Sequence, residues 1–360
     1  MTALLAGRDS PGRLDSRAVL RAAGVVDRPA GEAAVLQDVS RSHDVWRVDL
    51  ADGRSYVVKQ VSASGRALGR SLHAELYAYR LATWRPGLAA ALPTPVHLDE
   101  RRQVVALVAA APAQLFAHHV DDAGFPGVEP ARALGRTLGA VHADTAGQPL
   151  LTVAACGVLS LPDTAEVDWH LGDESPGARS VARTASADPV LAPALREGAA
   201  ALRPTCLVHG DVKWDNTVLD PGPPARVLLF DWELSGSGDP AWDVGSALAD
   251  TCALPVRMRG AGALPRDAAA WLPPQAAALL RGYAAAATPA AGGVEGGRAE
   301  VPLSRRVVLC WIGRTVHLAL ECAGAAGEGH PVVGDLLEVA RRLAGVRDEL
   351  TGLVARELAG

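Results

Sequence analysis

Residues 209–216 read HGDVKWDN, and they are the most informative stretch of this chain. The aspartate of this stretch, Asp211, follows a histidine by two positions and precedes an asparagine, Asn216, by five. Fifteen residues after Asn216, Asp231 ends the apolar run Leu-Leu-Phe-Asp. Two acids and an amide in this order and at this spacing are typical of a catalytic loop followed by a metal-binding segment.

Phosphoryl transfer is the chemistry that this arrangement suits. A protein that catalyses it needs a carboxylate to orient the attacking hydroxyl, oxygen ligands for magnesium, and cations on the phosphates. We expect Asp211 to take or orient the hydroxyl proton. We expect Asn216 to reach a magnesium ion and Asp231 to bridge magnesium to the phosphates, since magnesium in such sites takes only one or two protein oxygens.

The segment that follows narrows the family. Asp-Trp-Glu at 231–233 is followed by Gly-Asp-Pro-Ala-Trp-Asp at 238–243. Together with the His-Gly-Asp loop, these motifs resemble the aminoglycoside phosphotransferase/choline kinase family, most closely over 205–250. The resemblance implies that Asp239 and Asp243 are structural acids, which cap a helix beginning near Pro240 and tie it to the catalytic loop.

The resemblance also implies a fold and an activity. The fold class is α+β, a two-lobed protein-kinase-like fold with a small β-rich N-lobe and a larger, mainly helical C-lobe. We place the nucleotide-binding lobe at 1–110 and the catalytic and substrate-binding lobe at 111–360. The implied activity is the phosphorylation of a hydroxyl group with ATP and Mg²⁺. In this setting His209 is expected to brace the loop by a hydrogen bond rather than to transfer a proton.

Composition excludes several other classes. The 360 residues are 49% hydrophobic, enough for a sizeable core, and the net charge of −5 argues against a nucleic-acid partner. The five cysteines form no C-x-x-C pair, so the pattern indicates neither a zinc site nor a disulfide framework. The N-terminus becomes polar too soon for a signal peptide, and no apolar run approaches the length that spans a bilayer. We therefore expect a cytoplasmic protein with no membrane partner.

The N-terminal third predicts a small β-rich region with a phosphate-binding lysine. Residues 44–50 and 55–60 alternate polar and apolar side chains around an Asp-Gly turn, which is the pattern of a hairpin. Lys59 ends the second strand in a Val-Val-Lys context, like the strand lysine of kinases that binds the α- and β-phosphates. Glu75, in a helical stretch sixteen residues on, is predicted to pair with Lys59 and hold it in place.

The loop before this hairpin departs from the family pattern. A phosphate-covering loop is often rich in glycine, but residues 39–44 contain none. Ser40 and Ser42 are the residues whose backbone N–H groups we expect to face phosphate, with Arg41 adding charge. A degenerate loop also occurs in kinase relatives that bind nucleotide poorly, so a pseudokinase scaffold or nucleotide-binding partner remains an alternative.

Further along the chain the patterns are structural. Residues 102–110 predict a strand leading to an adenine-binding hinge near 109–113, and 131–142 predict a core helix in which His142 has no catalytic role. Residues 284–300, rich in Gly and Ala, predict a surface loop. Residues 303–323 and 334–358 predict amphipathic helices whose arginines form solvated faces; these are Arg305, Arg306, Arg314, Arg341, Arg342 and Arg347.

The phosphate acceptor stays open at this point. Lys213 occupies the place at which serine/threonine protein kinases carry a lysine that steadies the γ-phosphate, so we assign it a catalytic role beside Asp211. It favours a Ser or Thr hydroxyl on a precursor peptide, whose phosphate a partner lyase would eliminate. The acidic stretch 163–174 has five carboxylates and would attract a polycation, such as an aminoglycoside or another amino-alcohol. Since the family acts mostly on small molecules, a small-molecule acceptor is the preferred prediction.

Overall fold

The computed structural model of the protein describes residues 15–40, 43–62, 65, 71–111, 126–148, 157–163, 175–220, 225–259, 268–287 and 301–360. Contacts divide the chain into two compact units. The first consists of Met1–Arg80 and Pro93–Ala111, and the second of Leu81–Leu92 and Pro112–Gly360. Several sequence predictions fall outside the described residues: Arg41, Ser42, 112–113, 164–174 and 288–300.

The first unit is built on one antiparallel sheet. Its five strands run in the order β1-β2-β3-β5-β4: β1 Val35–Asp38, β2 Asp44–Asp49, β3 Ser55–Gln60, β4 Pro95–Asp99 and β5 Val104–Val108. Three helices accompany the sheet: α1 Ser16–Ala22, α2 Arg28–Ala33 and α3 His73–Ala82. The predicted hairpin is confirmed, because β2 and β3 pair in register from Asp44 opposite Gln60 to Asp49 opposite Ser55. The turn between them contains Gly53 at φ +85°.

Alternation along the strands produces the core of the first unit. Val48 on β2 and Tyr56 and Val58 on β3 point to one face and are buried with Val19 and Leu20 of α1.

Aspartates begin both early helices as N-caps: Asp15 accepts from the backbone N–H of Arg17, and Asp27 accepts from that of Ala30.

The second unit is mainly helical, with two short antiparallel strand pairs. Its helices are α4 Pro86–Ala89, α5 Val128–Asp144, α6 Pro176–Ala187, α7 Leu191–Ala201, α8 Pro240–Arg259, α9 Pro274–Ala286, α10 Leu303–Ala326, α11 Pro331–Gly345 and α12 Arg347–Ala359. The strands are β6 Cys206–Val208, paired with β9 Gly236–Gly238, and β7 Thr217–Asp220, paired with β8 Arg226–Leu229. The loop 209–216 therefore joins β6 to β7, and the loop 230–235 joins β8 to β9.

Glycines let the central helices approach closely. A Cβ atom at Gly135 of α5 would overlap the carbonyl oxygen of Leu279 on α9, and one at Gly282 of α9 would overlap the carbonyl oxygen of Arg132 on α5. The helix predicted over 131–142 lies within α5, and its close packing against α9 explains why small residues recur along both helices.

Helix α10 corrects two sequence predictions. It is long and apolar enough, by length and composition alone, to cross a membrane, so the expectation that no apolar run reaches this length was wrong for Leu303–Ala326. Its most apolar window is 78% buried inside the protein, which is the behaviour of a core helix. Arg306 and Arg314 are buried on it as well, so the predicted solvated arginine face is wrong at these two positions.

The second predicted helix, 334–358, is two helices, α11 and α12, that meet at Val346.

Candidate active site

A glycine turn delivers Asp211 at the end of β6. Gly210 has φ +87°, a region that residues with a Cβ atom rarely adopt, and a Cβ atom there would overlap the carbonyl oxygen of Leu234. The chain therefore reverses directly before Asp211, at a point where the loop 230–235 lies against it. The second motif is thus brought to the first by the backbone itself.

Asp243, on the first turn of α8, holds this loop. Its Oδ2 accepts from the N–H of His209 at 2.7 Å, and its Oδ1 accepts from the N–H of Gly210 at 3.0 Å. His142 Nε2 lies 3.1 Å from Asp243 Oδ2, and His142 Nδ1 lies 3.3 Å from the hydroxyl of Tyr283. The prediction that Asp243 ties its helix to the catalytic loop is confirmed. His142 contacts the same carboxylate oxygen that accepts from His209, and it has no partner within the loop.

Asp239 caps α8 and is enclosed by fixed groups. Its Oδ1 accepts from the N–H of Ala241 at 2.9 Å, and its Oδ2 accepts from the N–H of Arg203 at 2.6 Å. The guanidinium Nε of Arg306 lies 2.8 Å from the same oxygen, and the carboxylate is fully buried. The predicted capping role is confirmed, and the charge of Asp239 is neutralised by an arginine from α10.

His209 joins the two motifs. Its Nδ1 accepts from the N–H of Asp211 at 3.2 Å, and its Nε2 donates to the carbonyl oxygen of Phe230 at 3.0 Å. This pattern requires the tautomer that carries its proton on Nε2. Both ring nitrogens serve the backbone, so the structure agrees with a bracing role for His209.

Two cations hold the carboxylate of Asp211. Arg314 Nη2 donates to Oδ1 at 2.7 Å, and Lys213 Nζ donates to Oδ2 at 2.6 Å. Asn216 Nδ2 lies 3.2 Å from Oδ2 and 3.0 Å from the backbone oxygen of Asp211. Burial alone would raise the pKa of Asp211, but the positive charges of Arg314 and Lys213 outweigh it and hold that pKa well below its ordinary value. The acid is therefore a charged, oriented group and a weak base.

Arg314 is itself held by a row of polar side chains on α10. Its Nη1 donates to His317 Nδ1 at 2.7 Å and lies 3.2 Å from Glu321 Oε1. Burial, together with the positive charge of Arg314, lowers the pKa of His317 from 6.5 to about 4. His317 is thus a neutral acceptor. Burial raises the pKa of Glu321, but the positive charge of Arg314 more than offsets this, so the carboxyl group stays ionised. The charges of Asp211, Lys213, Arg314 and Glu321 balance.

The two predicted metal ligands lie on adjoining loops. The N–H of Phe230 donates to the backbone oxygen of Asn216 at 3.1 Å, directly before Asp231. The amide nitrogen of Asn216 donates to Asp211. The amide oxygen, Oδ1, is therefore the side-chain atom that could bind a cation. Asp231 has φ +69° and ψ +56°, an unusual backbone conformation for a residue other than glycine and one that clusters at functional sites. Oxygen donors of this kind fit magnesium.

A cluster of three or more His, Cys, Asp or Glu side chains that could hold a metal ion is absent from the part of the chain that the structure describes. The predicted magnesium site does not require one, since it uses two protein oxygens and completes its shell with phosphate and water. The described cysteines, Cys206, Cys252, Cys310 and Cys322, are not joined in disulfides. The assignment of Asn216 and Asp231 as metal ligands stays a prediction.

The first unit contains the predicted lysine–glutamate pair. Lys59 Nζ on β3 donates to Glu75 Oε2 on α3 at 2.9 Å, and both side chains are buried. The backbone N–H of Ser40, which is predicted to face phosphate, has a partner within the protein. The hydroxyl of Ser40 accepts from the N–H of Val45 at 2.9 Å, and its own N–H donates to Asp38 at 3.0 Å. Ser40 thus closes the turn between β1 and β2, and phosphate binding at this loop stays a prediction.

Arg314 is the residue of this site that the sequence analysis missed. The signal was present: Arg314 lies within LCWIGRTVHLAL, in which most of the neighbouring residues are apolar. Such a helix is a buried one, and a buried arginine requires an acidic partner. His317 and Glu321, three and seven positions later, complete a polar row on the same helical face.

Comparison with known proteins shows a family match and a shared fold. The model of the Phosphotransferase enzyme family (APH) matches residues 36–291. No curated protein matches the chain significantly. Among solved structures, it is similar to an aminoglycoside phosphotransferase from Alicyclobacillus acidocaldarius, with 15% identity, a TM-score of 0.54, and coverage of 98% of this chain and 99% of the other.

Two further structures share the fold. The amicoumacin kinase hAmiN, solved with AMP-PNP, Ca²⁺ and Ami, has 15% identity, a TM-score of 0.53, and coverage of 93% and 94%. The choline kinase LicA from Streptococcus pneumoniae has 13% identity, a TM-score of 0.51, and coverage of 87% and 94%. At these identities the likeness shows the fold, and the predicted protein-kinase-like class is confirmed. With a family match that spans more than half of its length, the chain belongs to the phosphotransferase enzyme family.

Proposed function

We propose that this protein is a kinase that uses ATP and Mg²⁺ to phosphorylate a hydroxyl group of a small amino-alcohol or aminoglycoside. The observation that supports this most strongly is the carboxylate of Asp211, held beside Asn216 while His209 and Phe230 join its loop to Asp231. Similar folds belong to kinases whose names specify an aminoglycoside, amicoumacin or choline as the substrate. These small molecules all contain a hydroxyl group and at least one nitrogen atom.

Asp211 would orient the acceptor. Its carboxylate accepts a hydrogen bond from the acceptor hydroxyl through Oδ2, which points the oxygen lone pair away from the acid and toward the phosphoryl group. Because Arg314 and Lys213 keep its pKa low, Asp211 takes the proton late, as the hydroxyl oxygen becomes more acidic on bonding to phosphorus. Orientation is then the main contribution of this residue.

Cations and oxygen donors would hold the nucleotide. In this proposal Lys59, fixed by Glu75, binds phosphate oxygens, and Asn216 and Asp231 offer oxygen ligands to magnesium. Bound ATP would supply the phosphoryl group, and the Mg²⁺ bound with it would offset the negative charge of the phosphates. A nucleotide analogue and a divalent cation occur together in the complex of hAmiN, which has the same fold. Lys213, 24% exposed in its side chain, is able to turn from Asp211 toward a phosphate.

The test is phosphoryl transfer to a defined panel of acceptors, read by mass as a gain of one phosphoryl group. The panel contains kanamycin, choline, ethanolamine, amicoumacin and a pool of Ser/Thr peptides, with Mg·ATP as donor. Asp211→Asn is the loss-of-function variant. Asp220→Asn is its matched control, since this acid lies at the end of β7 in a surface pair with Arg226.

Transfer to a small molecule by the parent chain and by Asp220→Asn, but not by Asp211→Asn, supports the proposal. Transfer to peptides alone would replace the proposed acceptor class with the precursor-peptide alternative. Nucleotide binding without transfer to any acceptor and without slow ATP hydrolysis would contradict the proposed activity in favour of the scaffold.

A further inference from the structure

Helix α10 supplies a side chain to the centre of the site from 103 residues beyond Asp211. Arg314 has no exposed side-chain surface, and its Nη2 reaches Oδ1 of Asp211 at 2.7 Å. The motifs that identify the catalytic loop contain no residue of this helix. The sequence motifs alone therefore do not identify Arg314 as a residue of this site.

The two oxygens of Asp211 have partners of different mobility. Oδ1 binds Arg314, which is buried in the middle of a helix and cannot move without it. Oδ2 binds Lys213, whose side chain is 24% exposed and lies on a loop, and it also lies 3.2 Å from Nδ2 of the buried Asn216. A lysine carries one charge on a flexible stem, whereas a guanidinium donates in a fixed plane. If Lys213 turns away, Oδ2 can accept from an acceptor hydroxyl while Asn216 stays beside it, and Oδ1 is the oxygen that stays fixed.

The partners of Arg314 prevent its rotation. His317 Nδ1 accepts from Nη1 at 2.7 Å, and Glu321 Oε1 lies 3.2 Å from the same nitrogen. These residues follow at three and seven positions on one helical face. One guanidinium nitrogen is thus anchored to its own helix while the other contacts Asp211. Such an arrangement transmits the position of α10 to the carboxylate.

We propose that Arg314 is a positioning residue of the phosphoryl transfer, which fixes Oδ1 of Asp211 so that Oδ2 faces the acceptor hydroxyl. This inference rests on the proposed function, in which Asp211 orients the acceptor. Arg314 contacts neither acceptor nor nucleotide in this role; it acts through Asp211.

The first experiment measures kcat and KM for Arg314→Met and Arg314→Lys. The assay uses the best acceptor of the panel above, or slow ATP hydrolysis if water is the only acceptor. We expect Arg314→Met to lower kcat about 100-fold, because a misplacement near 1 Å at a catalytic group has a cost of this order. KM for ATP and the affinity for a fluorescent ATP analogue should stay unchanged. Arg314→Lys should recover part of kcat, since it keeps the charge and loses the fork.

The decisive comparison is a double-mutant cycle with Asp211→Asn. If Arg314 acts through the carboxylate, Arg314→Met should cause little further loss of kcat once Asp211 is Asn, because residues that act as one unit are not additive. Multiplicative losses in the double variant, or an unchanged kcat in Arg314→Met, would overturn the inference. An unchanged kcat in Asp211→Asn alone would instead contradict the proposed function, so the two failures are distinguishable.

Two variants keep the test valid if Arg314→Met does not fold. Glu321→Gln removes an anchor whose side chain is 31% exposed, so the fold should tolerate it. We expect a smaller fall in kcat, with KM for ATP unchanged. Arg306→Met on the same helix is the matched structural control. It should lower the free energy of unfolding and leave kcat of the folded protein within error, whereas an equal fall in kcat would reduce the role of Arg314 to stability.

Discussion

Helix α10 carries two buried arginines, and the aspartates that they neutralise differ in access. Arg306 lies against Asp239, whose carboxylate has no exposed surface. Arg314 lies against Asp211, whose side chain keeps 12% exposure and whose second oxygen binds a movable lysine. The eight positions between the arginines rotate them by about 80° around the helix axis, so they serve different faces. Both pairs are buried. The exposure of the acid is what distinguishes Asp211, the proposed catalytic group, from Asp239, the structural one.

The largest expected effect separates the two acids by activity. Asp211→Asn should lower kcat by about 10²- to 10⁴-fold, the usual contribution of a base or an orienting carboxylate, while the fold and ATP binding are kept. Steady-state kinetics and circular dichroism on the same preparation would check this. If Asp239→Asn, measured in parallel on folded protein, lost as much turnover, the contrast between the pairs would be wrong.

The second effect distinguishes Asp239 from Asp211 by its contribution to the free energy of unfolding. Asp239→Asn leaves the Arg306 guanidinium buried without a charge partner, so we expect the free energy of unfolding to fall by about 3–5 kcal/mol. Urea denaturation would measure this loss. Turnover per folded molecule should be close to that of the parent chain. A denaturation midpoint that does not move would mean that water or a rearranged group replaces the lost charge.

The third effect is a pH dependence of the free energy of unfolding, caused by His317 beside Arg314. His317 faces Arg314 and Glu321, with Asp211 and Lys213 nearby, and its folded pKa of about 4 lies below its ordinary value of 6.5. Between these values the unfolded chain binds more protons than the folded one. Stability therefore rises with pH from about 4 to 6.5 and is lost as pH falls through this window, by at most about 3 kcal/mol.

Urea denaturation at intervals from pH 4.5 to 7 would test this dependence. His317→Asn should flatten the slope, whereas His97→Asn, on β4 of the first unit, is the control that should leave it unchanged. An identical slope in His317→Asn and the parent chain would assign the pH dependence to other groups.

The smallest effect concerns the neighbour of Arg306 on the same helix. Arg305 pairs with Glu197 and Asp348, whose side chains are 38% and 85% exposed. Surface pairs of this kind contribute little, so Arg305→Ala should change the free energy of unfolding by about 1 kcal/mol or less and leave kcat unchanged. A loss as large as that of Asp239→Asn would show that exposure is a poor guide to the energetics of this helix.

Local patterns predicted the parts of the molecule that lie close together in the chain. The hairpin of β2 and β3 follows from alternation and an Asp-Gly turn, and the catalytic loop follows from the spacing of Asp211 and Asn216. The pairing of Lys59 with Glu75 was also predictable, because the strand lysine and the helix glutamate form one motif.

The remaining parts depend on contacts that no local pattern records. His142 supports Asp243 across 101 residues, and Arg314 reaches Asp211 across 103. The prediction that the arginines of α10 form a solvated row was wrong at Arg306 and Arg314 because most of this helix is buried. The backbone N–H of Ser40 was expected to face phosphate, but it donates to Asp38 inside its own turn, a competing contact that composition does not reveal.

The place of Arg314 in the chain has a practical consequence for how this protein is shortened. The family match ends at residue 291, twelve residues before α10 begins. A fragment cut at that border would retain every recognisable motif, including the loop, Asp231 and the acids of α8. It would also expose the face of α8 that α10 covers and leave Asp211 with Lys213 as its only cation in the described structure. Such a fragment would be identified as a kinase by sequence and would lack the arginine that directs its acid.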